Sequence, residues 1–261
     1  MDSKDHLIIG GEAITNRFFL GTGKFKNNNE MKRCIVESNI QVVTIAMRRI
    51  DIEKHSENIL EYIPEDVILM VNTSGARDAK EAVRIARLAK EASGIKWIKV
   101  EVINDSKYLL PDNHETIRAT EILVSEGFTV LPYMYPDLYV ARELATAGAA
   151  AIMPLGSLIG SSQGLKAKKF IEIMIAEIDL PIIVDAGIGK PSQAAEAMEM
   201  GAAAVLANTA VATAEDPVLI TRAFSLAVKA GRIAYLIKFQ EAEDSASSSS
   251  PLTGFLFEEK N

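Results

Sequence analysis

Three ionisable residues and a group of glycine-rich turns are the chemically suggestive parts of this 261-residue chain. Lys99 and Glu101 stand two apart in Trp97-Ile98-Lys99-Val100-Glu101-Val102-Ile103, and Asp185 opens the run Asp185-Ala186-Gly187-Ile188-Gly189. The first run reads as a strand, because β-branched residues dominate it and Gly94 breaks the helical pattern before it. Alternation puts Ile98, Val100 and Val102 on one aliphatic face, and Trp97, Lys99, Glu101 and Ile103 on the other. On a one-sided sheet the charges would face water. In a parallel sheet, covered on both faces, they would occupy an interior site. An unpartnered buried charge is costly unless its pKa moves. A lysine desolvated in this way is expected to have a lowered pKa and to attack a carbonyl as the free amine. Glu101 and Asp185 would then move protons. The plainer alternative is a Lys-Glu ion pair that only fills the interior.

The elements around these residues decide between the two sheets. Leu7-Ile8-Ile9 and Glu12-Ala13-Ile14, separated by Gly10-Gly11, predict a small hairpin. Further strands are expected at 18–22, 42–47, 67–72, 97–103, 129–133, 150–154, 182–185 and 203–208. Helices are expected between them at 30–38, 52–61, 76–92, 113–126, 137–146, 166–177, 192–200 and 217–230. Ala82, Val83, Ala86 and Ala89 form an apolar stripe on one helix. Pro191 suits a first helical turn. Gly94, Gly127, Gly148 and Gly201 follow helices where a left-handed residue is wanted. Eight strand–helix units with short connections predict a (β/α)8 TIM barrel, with a catalytic domain over 1–237. Residues 238–261, which contain Ser245-Ala246-Ser247-Ser248-Ser249-Ser250-Pro251, read as a flexible C-terminal tail.

Composition narrows the function classes. With 48% hydrophobic residues the chain can bury a large core, and a net charge of -7 argues against nucleic acid or a polybasic membrane contact. No apolar run approaches the length of a membrane span, and no secretory leader is evident, so a cytoplasmic location is expected. Cys34 is the single cysteine, expected as a buried thiol on an amphipathic helix. His6, His55 and His114 lack metal-ligand spacing, so neither a metal nor a cofactor is expected.

In a barrel, functional residues gather at the C-terminal ends of the strands. There, Lys99 and Glu101 point inward from the fourth barrel strand, Asp185 ends the seventh, and Asn208-Thr209 ends the eighth. Glycine-rich ends of the last two strands suit a phosphate, because glycine lets backbone N–H groups approach its oxygens. The Gly156–Gly164 stretch (156–164) would close over the same ligand. The residues by themselves therefore point to a lysine-dependent enzyme acting on a phosphorylated ketone or aldehyde.

A family resemblance rests on Gly21-Thr22-Gly23-Lys24, Met47-Arg48-Arg49, Asn72-Thr73-Ser74-Gly75-Ala76, Ile98-Lys99-Val100-Glu101-Val102-Ile103 and Leu109-Leu110-Pro111-Asp112. It continues through Val130-Leu131-Pro132-Tyr133, Met153-Pro154-Leu155-Gly156-Ser157, Val184-Asp185-Ala186-Gly187-Ile188-Gly189 and Asn208-Thr209-Ala210. In order from about residue 7 to 235, the chain resembles the bacterial thiazole synthases of thiamin biosynthesis. The resemblance implies condensation of 1-deoxy-D-xylulose 5-phosphate, dehydroglycine (2-iminoacetate) and a sulfur carrier protein thiocarboxylate into the thiazole phosphate. It implies a Schiff base on Lys99, proton transfer by Glu101 and Asp185, and sugar-phosphate contacts at Gly160, Ala186, Gly187, Asn208 and Thr209. It also implies a homo-oligomer (dimer or tetramer) and a ubiquitin-like sulfur carrier partner, with the dehydroglycine-producing enzyme as a further candidate partner.

The sequence departs from that family in places. The loop after the sixth barrel strand usually reads Ser-Pro-Ile-Gly-Ser-Gly-Gln-Gly, and here Leu158 replaces the proline and Ser162 the glycine. Ala207 stands where leucine is common, and Leu236-Ile237-Lys238-Phe239 replaces Glu-Ala-Gly-Arg. Two other readings of the residues stay open: a Schiff-base aldolase or isomerase for another sugar phosphate, and a non-catalytic phosphate-binding barrel.

Overall fold

The computed structural model describes residues 5–47 and 58–238. An antiparallel hairpin of β1 (Leu7–Ile9) and β2 (Glu12–Ile14) precedes the main fold. Gly10 and Gly11 both take positive φ at its turn, as a two-residue hairpin connection requires. Eight parallel strands follow: β3 (Phe18–Gly21), β4 (Val42–Ala46), β5 (Ile68–Asn72), β6 (Trp97–Val100), β7 (Thr129–Met134), β8 (Met153–Pro154), β9 (Ile183–Val184) and β10 (Ala204–Ala207). They pair in the order β8-β7-β6-β5-β4-β3-β10-β9. Bridges from Ile152 to Ile182 and from Leu155 to Asp185 join the two ends. The result is the closed barrel expected from the repeated strand–helix pattern.

The helices are α1 (Asn28–Glu37), α2 (Ala79–Ser93), α3 (Asn113–Ser125), α4 (Leu138–Thr146), α5 (Lys168–Glu177), α6 (Pro191–Glu199), α7 (Thr209–Ala212) and α8 (Pro217–Ile237). Their ends follow local chemistry. Asp78 accepts a hydrogen bond from the Glu81 N–H at the start of α2, and Gly94 closes it at φ 72°. Asp112 caps α3 in the same way, and Gly127, Gly148 and Gly201 all have positive φ. Cys34 is buried on α1, where desolvation pushes its thiol above the ordinary cysteine range.

Two apolar layers result from the strand alternation. Outward residues such as Phe18, Val43, Val71, Ile98, Val100 and Val130 pack against the helices. Inward residues, including Phe19, Val42, Met70, Leu131, Met153 and Ile183, fill the barrel axis. The hairpin contributes Leu7, Ile9 and Ile14 to this inner cluster and closes the N-terminal end of the barrel. Asp5 braces that end by pairing with Arg17 and Arg232, and Arg17 also donates to the Ala203 carbonyl at 2.8 Å.

Several boundaries differ from expectation for identifiable reasons. The expected helix at 52–61 lies largely outside the described residues; a 3-10 turn, Ile59–Tyr62, covers its end, capped by Asn58. The expected strand 97–103 stops at Val100 because the Thr73 hydroxyl occupies both Glu101 backbone groups, donating to its C=O and accepting from its N–H at 2.8 Å each. Helix α8 runs past the expected residue 230 to Ile237. Gly231 does not end it, because its role is close packing: a Cβ there would lie 2.3 Å from the Ala195 carbonyl oxygen of α6. The expected C-terminal tail lies outside the described residues beyond Lys238.

Overpacking at such a contact costs about 1–3 kcal/mol. Gly231→Ala is therefore expected to destabilise the protein by about that amount despite alanine's better helix propensity. Urea denaturation checks this, and an unchanged or raised midpoint would contradict the close-approach role.

Candidate active site

The C-terminal mouth of the barrel opens into a cavity of about 770 Å³. All eight residues expected at the site line it: Lys99, Glu101, Gly160, Asp185, Ala186, Gly187, Asn208 and Thr209. A cleft of similar size, about 720 Å³, lies outside the barrel along α1 and α8 and receives none of them.

Lys99 and Glu101 extend inward from β6, as the period-two pattern predicts. Asp185 comes from the residue after β9, where its N–H donates to the Pro154 carbonyl at 3.0 Å. The three side chains meet. The Lys99 Nζ lies 2.7 Å from Glu101 Oε1 and also pairs with Asp185 Oδ2. All three are buried, with relative exposures of 6%, 7% and 4%. The Tyr133 ring, inward-facing on β7, lies beneath the ammonium, 5.1 Å from Nζ to ring centroid. Its hydroxyl is buried without a hydrogen-bond partner. Desolvation, reinforced by the nearby Asp185 and Glu101 carboxylates, raises the Tyr133 pKa, so the phenol stays neutral.

The expected lowering of the Lys99 pKa is not what this arrangement produces. Burial does pull it down, but the carboxylates of Asp185 and Glu101 together outweigh burial and raise it above that of an ordinary lysine. The resting group is an ammonium. Sequence reasoning weighed the desolvation and could not weigh the distance of both carboxylates from Nζ.

The rest of the cavity wall is built from turns. Ala186 and Gly187 take consecutive left-handed conformations, φ 63° and 76°, directly after Asp185. A Cβ on Gly187 would sit 1.8 Å from Ser157 Oγ, so the 156–164 loop can seat there only against glycine. That loop is tied down by the Gly164 N–H, which donates to the Gly187 carbonyl at 2.8 Å. Ser162 holds φ 56°, a conformation that costs a non-glycine residue energy. Ala207 is buried beside the same wall.

Asn208 does not extend β10, as expected, but precedes the short helix α7, which sequence patterning missed because four residues carry no periodicity. Its carboxamide, oriented to satisfy its neighbours, donates to the carbonyls of Gly23 (2.6 Å) and Gly21 (3.1 Å). Its oxygen accepts from the Gly23 N–H at 3.3 Å. Cβ atoms at Gly21 or Gly23 would fall within 3 Å of the Asn208 side chain, which is why both are glycine. Tyr133, Thr73 and Lys24 are the cavity or support residues that sequence reasoning did not single out individually. The inward register at the end of β7 was the available signal for Tyr133. Arg48 and Arg49 lie outside the described residues. Among those residues no cluster of three His, Cys, Asp or Glu side chains is arranged to hold a metal ion. No described helix is long and apolar enough to cross a membrane.

This site can hold a charged amine beside two proton acceptors, under glycine turns suited to an anion. If the carboxylates keep the Lys99 proton, removing one should release it. In Asp185→Asn, reductive methylation of Lys99 followed by mass spectrometry across alkaline pH is expected to begin at lower pH than in the unaltered protein. An unchanged profile would show that the Asp185 charge is not what retains the proton. By the same linkage, the ion pair stabilises the fold below the unfolded lysine pKa of about 10.4 and stops doing so as pH rises through the higher folded value.

Comparison with known proteins adds an independent line of observation. The family described as thiazole biosynthesis protein ThiG matches residues 8–251. A thiazole synthase of Pelotomaculum thermopropionicum is 64% identical over 253 residues, covering 97% of this chain and 99% of its own. A thiazole synthase of Moorella thermoacetica is 61% identical over 252 residues, with the same coverages. Among solved structures, the Amycolatopsis orientalis BexX/CysO complex superposes with a TM-score of 0.82 at 30% identity, covering 92% of this chain and 98% of that one.

Proposed function

This chain belongs to the ThiG family of thiazole synthases, enzymes of thiamine biosynthesis, and on that premise we propose a Schiff-base mechanism centred on Lys99. The observation that supports it best is the buried Lys99 ammonium held between Glu101 and Asp185 at the barrel mouth.

The substrate in this reading is 1-deoxy-D-xylulose 5-phosphate. One of the two carboxylates accepts the Lys99 proton, and the freed amine adds to the C2 ketone. Loss of water leaves the imine. Removal of the C3 proton and its return elsewhere move the carbonyl to C3, as either carboxylate can exchange protons within reach of Nζ. Sulfur from a carrier-protein thiocarboxylate then replaces the C3 oxygen, which departs on the carrier as its carboxylate, and condensation with dehydroglycine closes the thiazole ring with loss of water and release of the Lys99 amine. Gly160, Ala186, Gly187, Asn208 and Thr209 form the sugar-phosphate end of the cavity. A phosphate is compatible with that wall because its glycines expose backbone N–H groups.

The partner in this reading is a small ubiquitin-like sulfur carrier whose C-terminal tail reaches the open mouth. The solved relative BexX was captured in complex with CysO, which supports a protein partner at an enzyme of this shape. A cytoplasmic location, a homo-oligomeric state and a catalytic domain over 1–237 complete the reading.

Incubation with 1-deoxy-D-xylulose 5-phosphate and borohydride is expected to leave a reduced adduct that maps to Lys99 by mass spectrometry. Lys99→Ala should give none, and Lys99→Gln, which keeps a donor between the carboxylates, should give none while keeping the parent's circular dichroism, at a lower melting temperature because Glu101 and Asp185 then face each other without a cation. Glu101→Gln should still form the adduct but lose about 10²-fold or more in thiazole formation, the usual scale of general acid–base catalysis. An adduct on another lysine would overturn the nucleophile assignment.

A further inference from the structure

We propose that Lys24 is the cation that receives the substrate's phosphate. The proposal deepens the reading above by naming a side chain for an end of the site otherwise made of backbone turns. Lys24 follows β3, on the loop clamped by the Asn208 carboxamide through Gly21 and Gly23. Its Nζ donates to Thr209 Oγ1 at 3.1 Å across the cavity. A Cβ built on Gly160 would lie 3.6 Å from that Nζ and 3.7 Å from Thr209 Oγ1. Lys24, Gly160 and Thr209 therefore converge on one spot, although they come from loops after the first, sixth and eighth barrel strands.

Charge separates Lys24 from Lys99, and position separates it from Arg77. Among the described residues, Lys24, Arg77 and Lys99 are the cations that line the cavity, together with the carboxylates Glu101, Asp105 and Asp185. The Lys99 charge is already matched by two carboxylates. Among the described residues, Lys24 has a neutral hydroxyl and no carboxylate as its partner. A dianionic phosphate entering a cavity with three carboxylates needs an uncommitted cation, and this one stands beside the glycine turns. Arg77 belongs to the wall after β5, with Ser74 and Gly75. Lys24 itself holds φ 65°, an uncommon conformation for a non-glycine residue, directly after the Gly23 that the Asn208 carboxamide binds. A compact, rotatable ammonium is well suited to a phosphate that arrives and leaves as a point charge.

Calorimetry tests this with inorganic phosphate, 1-deoxy-D-xylulose 5-phosphate and unphosphorylated 1-deoxy-D-xylulose as probes, none of which requires an imine to be trapped. Lys24→Met is expected to weaken binding of both phosphate-bearing probes by about 10- to 100-fold, the scale of one charge-assisted hydrogen bond. The preference for the phosphorylated over the unphosphorylated sugar should fall by the same factor. Lys24→Arg should restore most of the loss, and the salt dependence of phosphate binding should flatten in Lys24→Met. Equal phosphate affinity in Lys24→Met and the unaltered protein would overturn the proposal. So would an equal loss for all three probes, which would indicate a merely structural loop. Failure of the Schiff-base reading shows elsewhere, as the absence of a Lys99 adduct, and leaves these phosphate affinities as they are.

Discussion

Everything at the mouth of this barrel is arranged around one buried ammonium shared by two carboxylates. Burial opposes the charge on Lys99, and the proximity of Glu101 and Asp185 more than reverses that opposition. The three groups carry one net negative charge in an interior site, so the balance depends on short distances being held. The fold holds them by backbone means. The Thr73 hydroxyl binds both polar backbone groups of Glu101, and the bridge between Leu155 and Asp185 closes the barrel at the third member of the set. The amine is thus stored in its unreactive form. In the Schiff-base reading proposed above, activation is the passage of that proton to a carboxylate already in contact.

Below this layer the barrel is apolar. Phe19, Met70, Leu131, Met153 and Ile183 fill the axis, and the hairpin residues Leu7, Ile9 and Ile14 seal its far end. The Tyr133 ring forms part of the floor under Lys99. Low polarity beneath the ion pair strengthens its electrostatics, and access is left to the cavity side alone. The hairpin, far from the cavity, contributes to that apolar floor by closing the opposite end of the barrel.

Above the ion pair, glycine sets the shape of the wall. Gly187 admits Ser157, and Gly21 and Gly23 admit the Asn208 carboxamide, each at a distance no Cβ would allow. Gly189 similarly admits Ser162, whose own backbone is held left-handed. The loops after the sixth and seventh barrel strands are thereby locked to each other, as are those after the first and eighth. That locking makes this wall of the cavity a preorganised surface, on which the proposed phosphate would bind without first ordering the loops.

Period-two alternation was sufficient to assign Lys99 and Glu101 inward and Ile98 and Val100 outward, because strand geometry leaves no other choice. Repetition of strand and helix likewise implied a parallel barrel, and with it the end of the sheet where Asp185 and Asn208 would lie. Helix ends such as Pro191 and Gly94 were readable because they answer to local backbone geometry, whereas the Asp78 cap of α2 fell inside the expected 76–92 helix. Only the tertiary structure decided the protonation state of Lys99, since desolvation and two opposing charges differ in sign and their sum depends on ångström-scale distances. It alone decided that Gly231 packs a helix instead of ending one, because the atom it avoids belongs to α6. And it alone brought Lys24 against Thr209, 185 residues away in sequence, a proximity that local pattern cannot encode and barrel closure creates.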